Sequence, residues 1–498
     1  MTHRPGPSPV SRRTLLRGAA VGGAAAVAAP LLCPSAARAA GIDSGSYRIR
    51  YDNGARQTIL GLGFEIQSDS IGSGNKGLPD LVSGVPFDLT PSERTRFYRQ
   101  ILKVRADRGF RYCRLALGLY HRGLDATGKH LVDRYPGQTE LLAEMVREAG
   151  IEGVAAEYWS PAPGWKSNNS YVKGGTLASF DPAFLDRLGD AMVADLDHLA
   201  ARGVPINMWG LQNEPDVSTD YSSCTYDAAQ YLAAFKAVAP KIRAKYPNVM
   251  IHADSQHGWK GPRGRAVLAD PQALSCVDAW TFHRIGSDSN QQITEDFTSG
   301  AAGRPVFNNE FEYLRPTSPF DRTLNTAQSI MNWMTFQNSP TWFWLHALKP
   351  TTNSESQGYS LGFWRPPHDT DFSHHPNIEP GHWDVNPENW NAVAGFVRYL
   401  PWDSVRYHVE EPVHDDGTPY RDHRIMAWRT PEGKQVFAIT NRSATTPFTY
   451  TVDTRTAAAF QGHRFGPTLH NRTLSTVTGP TLALTVPPLS IEFWVRTA

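Results

Sequence analysis

Two glutamates carry the clearest chemical potential in this chain. Glu214 lies in WGLQNEPD (209–216) and Glu310 in RPVFNNEFEY (304–313). Each follows a short apolar run that reads as a buried strand. Two carboxyl groups brought side by side can cleave a glycosidic bond, one handling a proton and the other attacking carbon. Glu214 sits between Asn213, whose amide can bind a sugar hydroxyl, and Pro215, which turns the chain out of its strand. It is the expected general acid/base, a role that needs a raised pKa from burial or a nearby charge. Glu310 is the expected nucleophile. Glu312 is its rival: residues two apart in a strand face the same side, so alternation does not separate them. Glu310 stands nearer the end of the apolar run 305–307 and is favoured for that reason.

Other residues at strand ends join the candidates. Arg114, in FRYCRLALG, is a buried arginine that needs a carboxylate partner, and the nucleophile is available. His283, in AWTFHRIG, can hydrogen-bond the nucleophile. Trp159 and Ser160 end the third apolar run, and Trp344 and His346 the eighth. Tryptophan faces stack on sugar rings, although ordinary barrel packing is an equal reading of them. Glu65 and Gln67, in GLGFEIQSD, are expected to contact a terminal sugar.

These residues need a scaffold that brings them to one place. From about residue 60 to 400, strand-like runs alternate with helical patterns. The strands are expected at 60–66, 110–117, 153–159, 206–212, 249–253, 277–283, 305–309 and 341–346. The runs have no polar face, as suits parallel strands covered on both sides. Thr90-Pro91-Ser92-Glu93 reads as a helix start, and so does Asp181-Pro182. Further helical spacing runs over 226–245 and 322–337. Eight such units predict a (β/α)8 barrel over 60–399, with catalytic groups at the C-terminal ends of strands four and seven. Residues 400–498 carry short alternating strands and a turn at Thr430-Pro431-Glu432-Gly433, and read as a β-sandwich. Residues 40–59 precede the barrel. There Tyr47–Tyr51 and Asp52-Asn53-Gly54 suggest a hairpin-like element that pairs with the tail.

The chain begins with a different kind of segment. SRRTLLRG (11–18), an Ala-rich stretch and small residues near position 39 read as a twin-arginine export signal over 1–39. Its removal takes away five arginines and no acid, moving the formal charge from +1 to −4. That balance argues against a nucleic-acid or membrane partner. The chain is therefore expected to be secreted, monomeric and directed at a carbohydrate. Three cysteines remain, Cys113, Cys224 and Cys276, with no paired framework. No CxxC or HExxH motif supports a zinc site. The run HDTDFSHHPNIEPGH (368–382) holds four histidines and three acids, but at no spacing that places them on one helix face. It reads as a loop over the barrel mouth, and no metal or other cofactor is expected.

Taken in order, GLGFEIQ, RLALG, WSPAPGWKSN, WGLQNEPD, FNNEFE and the C-terminal VPPLSIEFWV resemble clan A glycoside hydrolases, most closely glycoside hydrolase family 30. The resemblance implies a barrel fused to a side β-sandwich, a retaining double displacement without metal, Glu214 as acid/base and Glu310 as nucleophile. The chain departs from the family at Glu65 and Ile66, where small glycines are usual, and in lacking a threonine before Glu310. Two alternatives use the same scaffold. One is a transglycosylase with the same two glutamates, and the other is a non-catalytic carbohydrate-binding barrel.

Overall fold

The computed structural model describes residues 43–66, 89–104, 109–256, 261–283, 291–311, 319–352, 360–366 and 369–497. The export segment, Gln67, Glu312 and His368 lie outside the described residues. The apolar runs form eight parallel strands: β1 Gly61–Ile66, β2 Phe110–Leu117, β3 Gly153–Tyr158, β4 Ile206–Gly210, β5 Met250–Gln256, β6 Ala279–His283, β7 Val306–Phe311 and β8 Thr341–Trp344. Each pairs with its sequence neighbour, and β8 pairs with β1 to close the barrel. His346, expected at the end of β8, opens the separate three-stranded sheet His346–Pro350, Ser360–Trp364 and Trp383–Val385.

The barrel interior is packed in layers. The lower layer is apolar: Tyr112, Ala155, Met208, Ala279, Phe307 and Phe343 form one buried cluster. Gly63 belongs to it by subtraction, because a Cβ there would meet the Phe343 ring at 2.2 Å. Two residues further along, the strands present polar groups instead. Glu65, Arg114, Glu157, Thr281 and Asn309 are all buried. The period of two thus lifts the chain from an oily floor to a charged layer at the C-terminal mouth.

Helices cover the outside. Thr90 caps the helix Pro91–Phe97, accepting the Glu93 N–H at 3.3 Å, with proline in the first turn as the sequence suggests. The helix Pro182–Ala200 buries Leu185, Leu188, Met192, Leu196 and Leu199. Among the described residues, no helix is long and apolar enough to cross a membrane.

The tail forms a ten-stranded sheet network built around the long strand Phe448–Gly466. Alternation divides its strands between two cores. Ile425, Ala427, Phe437 and Ile439 enter the inner core of the tail, while Met426, Trp428, Val436 and Ala438 join the core shared with the barrel helices. Two N-terminal strands complete the network. Ser44–Ile49 pairs parallel to Phe448–Gly466, and Ala55–Ile59 pairs antiparallel to Ser404–Tyr407. The hairpin expected there does not form: the two strands lie towards opposite ends of the sheet order. The Asp52-Asn53-Gly54 turn hands the chain across the sheet because each strand finds a better partner in the tail.

One buried acid ties β3 to its following helix. Asp195 accepts the Leu131 N–H at 2.8 Å and lies 3.1 Å from the Tyr158 hydroxyl, which reaches Met192 O at 3.4 Å. Burial pushes its pKa up to about 8. The Tyr158 hydroxyl donates to Asp195 Oδ2, and burial outweighs that bond and favours the protonated acid. The folded state then holds a proton that the unfolded chain has lost, so stability falls as pH rises from about 3.8 to about 8. Asp195→Asn keeps the size of the side chain and an oxygen to accept the Leu131 N–H, without the titration. Denaturant unfolding across this range should show a flatter pH dependence in the variant, and an unchanged slope would refute the assignment.

Candidate active site

Arg114, on β2, lies at the centre of the charged layer. Its Nε and Nη2 reach Glu157 Oε2 at 2.7 and 2.6 Å, and its Nη1 reaches Glu310 Oε2 at 2.7 Å. Nη1 also pairs with Glu65, and Nη2 donates to Asn213 Oδ1 at 2.6 Å. The plane of the guanidinium lies on Trp159, 4.4 Å from the ring centroid. Arg114 is 1 % exposed and its three acids are 0 % exposed. Burial alone would oppose the charge, but the surrounding carboxylates drive the guanidinium pKa upward. Glu157 is held below the usual carboxylate range: burial works against this, and the Arg114 charge is the largest effect opposing it.

Glu214 stands just beyond the end of β4. Its φ of +44° is a left-handed conformation that a residue with a Cβ adopts at a cost of about 1–3 kcal/mol. Cross-strand bonds hold it there. The Asn213 N–H donates to Tyr158 O at 2.7 Å and the Glu214 N–H to Ser255 O at 2.8 Å. On β5, Asp254 is left-handed too, at +69°. Asp254 immediately precedes Ser255, whose carbonyl accepts the Glu214 N–H.

His283, at the end of β6, joins the two glutamates. Its Nδ1 is 3.0 Å from Glu214 Oε1 and 3.5 Å from Glu310 Oε2. One ligand-type atom from each of the three side chains lies within 4.8 Å of the others. The sequence placed His283 on the nucleophile candidate, but its shorter contact is to Glu214.

Glu310 reaches the site through a break in β7. Phe307 points into the barrel floor and Asn309 into the charged layer, where its Nδ2 donates to Glu157 Oε2 at 3.2 Å and to Ser255 Oγ at 2.7 Å. Strict alternation would send Glu310 outward. The register shifts between Phe282 and His283 against β6, and between Asn308 and Phe311 against β8. This irregularity turns Glu310 inward beside Asn309 and sends Phe311 out against Trp342 and Trp344.

The structure brings Glu214, Glu310, Asn213, Arg114, His283, Trp159 and Glu65 into one cluster. Glu65 takes a place around Arg114 rather than standing alone as a sugar contact. Trp344 is 0 % exposed and packs against Phe311 and Trp342, so in this conformation it is a wall rather than an open stacking face. The Ser160 hydroxyl donates to Pro161 O.

Glu157, Ser255, Asn309 and His252 were missed in the sequence. Glu157 stands two residues before Trp159 on a strand whose floor residue, Ala155, faces inward, and that spacing was the available signal. Gly210 makes room for it: a Cβ there would lie 2.4 Å from His252 Cε1 and 2.9 Å from Glu157 Oε1. Burial lowers the His252 pKa to about 4, so this ring is neutral beside Arg114 at ordinary pH.

Two groups of three ligand-type side chains converge among the described residues, and neither lies in the histidine-rich segment. One is Glu214–His283–Glu310. The other is His121–Asp133–His198, in which both Nε2 atoms meet Asp133 Oδ1, at 3.2 and 3.0 Å. Arg202 Nη1 lies 3.1 Å from His198 Nδ1. Arginine only donates, so His198 carries its proton on Nε2, towards Asp133, which suits a hydrogen-bonded network rather than a metal. In the histidine-rich segment, buried Arg365 gathers the chain instead, binding Asp369 Oδ2 at 2.6 Å and the carbonyls of Asp371 and His375 at 2.7 Å.

No protein-family model matches the sequence. Solved structures do match in fold. The catalytic domain of GH30 xylanase C from Talaromyces cellulolyticus has a TM-score of 0.68 at 16% identity, covering 91% of this chain and all of that one. An endo-beta1,6-glucanase has 0.65 at 14%, covering 91% and 94%. The GH51 arabinofuranosidase from Xanthomonas axonopodis pv. citri has 0.59 at 10%, covering 92% and 100%. The resemblance to family 30 read from the motifs therefore has a counterpart in three dimensions, as a likeness of fold. Because the fold extends to a GH51 enzyme, a substrate does not follow from it.

Glu157→Gln removes one charge from Arg114 while keeping an acceptor. We expect a loss of about 1.5–3 kcal/mol at neutral pH, measured by denaturant unfolding followed through tryptophan fluorescence. Because the Glu157 pKa is lowered from 4.5 in the folded state, its contribution is present above that value and fades in acid. The gap between wild type and variant should narrow as pH falls below about 4.5. A variant as stable as wild type at pH 7 would remove Glu157 from this role.

Proposed function

We propose that this protein is a retaining glycoside hydrolase that cleaves β-linked glycans, with Glu310 as nucleophile and Glu214 as general acid/base. The observation that carries the reading is the spacing of the two carboxylates. An oxygen of Glu214 and one of Glu310 lie within 4.8 Å, at the C-terminal ends of strands four and seven. Retaining enzymes hold their carboxyl groups ~5–5.5 Å apart, whereas inverting enzymes leave ~6.5–9.5 Å for a water.

The surroundings support a division of labour. Arg114 ion-pairs with Glu310 and favours its anion, as a nucleophile requires. Glu214 takes its contact from His283 and has Asn213 beside it, so it is the better placed to keep a proton for the leaving group. Glu310 attacks the anomeric carbon as Glu214 protonates the departing oxygen, and a glycosyl-enzyme ester forms. Glu214, now ionised, takes a proton from water. That water attacks the same carbon and releases Glu310. Arg114, resting on Trp159 and held by Glu65 and Glu157, keeps the nucleophile from turning away during both steps. The β linkage is supported by the endo-beta1,6-glucanase among the structural neighbours. Export by the twin-arginine route is supported by SRRTLLRG and the apolar stretch after it.

Assays with aryl β-glycosides and β-glucan or xylan oligosaccharides test the assignment. Glu310→Gln should abolish turnover. Glu214→Ala should lose about 10²–10⁴-fold on substrates with poor leaving groups, and should recover with azide through a β-glycosyl azide product. Full activity in Glu310→Gln, or inversion of the anomeric configuration in the product, would overturn the mechanism.

A further inference from the structure

A second site lies at the seam between the barrel and the tail sheet, away from the glutamate pair. A cavity of about 260 Å³ opens there, lined by Arg56, Phe336, Asn338, Arg406, His408 and Glu411 among others. Arg56 comes from the N-terminal strand Ala55–Ile59 and Arg406 from Ser404–Tyr407. Phe336 and Asn338 come from the C-terminal end of the barrel helix Pro319–Phe336.

The charges in this cavity do not balance. Arg406 is 4 % exposed, yet its hydrogen bonds go to neutral groups: Nε to Gln57 Oε1 at 2.8 Å and Nη2 to Asn338 Oδ1 at 2.9 Å. Among the described residues, no carboxylate is within ion-pair distance of either Arg406 or Arg56. The one acid in the lining, Glu411, is committed elsewhere, with its two oxygens 2.6 and 2.9 Å from the guanidinium of Arg424. The helix end supplies only about half a negative charge. Two guanidinium groups therefore share a cavity with little to neutralise them, and His408 adds a third cationic group when protonated. Burial and then Arg56 lower the Arg406 pKa to about 10 with Glu411 opposing them, and burial, Arg56 and Arg406 lower that of His408 against Glu410 and Glu411. Arg56 is exposed to solvent, but a buried charge such as that of Arg406 is normally paired.

We propose that this seam cavity binds a small oxyanion of the phosphate class, either free or carried on a sugar. Paired guanidinium groups match the geometry and charge of such a group. Because Arg56 and Arg406 belong to the sheet while Phe336 and Asn338 belong to the barrel, the bound anion would clamp the two parts together.

The full-length mature chain is studied by thermal unfolding and isothermal titration, with sodium phosphate replacing sodium chloride at constant ionic strength. Phosphate should raise the unfolding midpoint in a saturable manner and bind at about one per chain. Arg56→Gln is the chosen variant because Arg56 is exposed and, among the described residues, has no hydrogen-bond or ion-pair partner for the fold to lose. It should weaken phosphate binding about tenfold or more, while leaving the midpoint in chloride unchanged or higher. Glucose 6-phosphate separates the sources: tighter binding than inorganic phosphate marks a sugar-borne group, and weaker binding marks the free ion. Absence of a phosphate effect on wild type, or an equal effect on wild type and Arg56→Gln, would overturn the proposal.

Discussion

The guanidinium of Arg114 has no access to water and so must be neutralised by the protein. It meets that requirement with Glu65, Glu157 and Glu310, drawn from three strands, and with the side-chain oxygen of Asn213. An arginine that donates to four side chains in fixed directions limits where each of them can be. The carboxylate that would attack a sugar is one of those partners. Its position is therefore set by a network that also closes the upper layer of the barrel. The same cluster holds an excess of acids: three glutamates share one guanidinium, and a fourth, Glu214, is in contact with His283 instead. A site with more carboxyl groups than cations favours holding a proton on one of them, and that asymmetry is what acid/base and nucleophile roles require.

Regular β geometry would not produce this arrangement. Alternation alone places Phe307, Asn309 and Phe311 on one face of β7, and Glu310 on the other. The irregular register of that strand brings Glu310 in. Left-handed Glu214 and Asp254 play the corresponding part at β4 and β5. Their strain is offset by the hydrogen bond from Glu214 to Ser255 O and by the pairing of the flanking strands. Register shifts also occur lower in the barrel, at Leu62/Gly63 and Val154/Ala155, but those on β7 are the ones that reorient a carboxylate.

The tail sheet matters to the barrel because its strands Ile425–Arg429, Gln435–Asn441 and Ser490–Arg496 are buried on both faces. Its strands alternate between an inner core and the core shared with the barrel helices, and two strands from before the barrel are woven into it. The chain thus enters and leaves the barrel through the same sheet, which restrains the seam where the unbalanced arginines lie.

Much of this was legible in one dimension. Eight apolar runs without a polar face determine parallel strands covered on both sides, because only residues with two dry faces read that way. Counting them put Glu214 after the fourth strand and Glu310 on the seventh, and a buried arginine on the second demanded carboxylates. The sequence also marked the helix start at Thr90 and the alternating strands of the tail. It did not determine which face Glu310 takes, since a one-residue irregularity in β7 reverses the alternation and leaves no signature in composition. Nor did it reveal Glu157, which looks like any strand residue until Arg114 lies across from it, or the separation of the two N-terminal strands, which pair with partners some 350–400 residues away. Local pattern fixes what each segment must bury. Which side chains then meet depends on register and on contacts between distant strands, and those energies exist only once the barrel has closed.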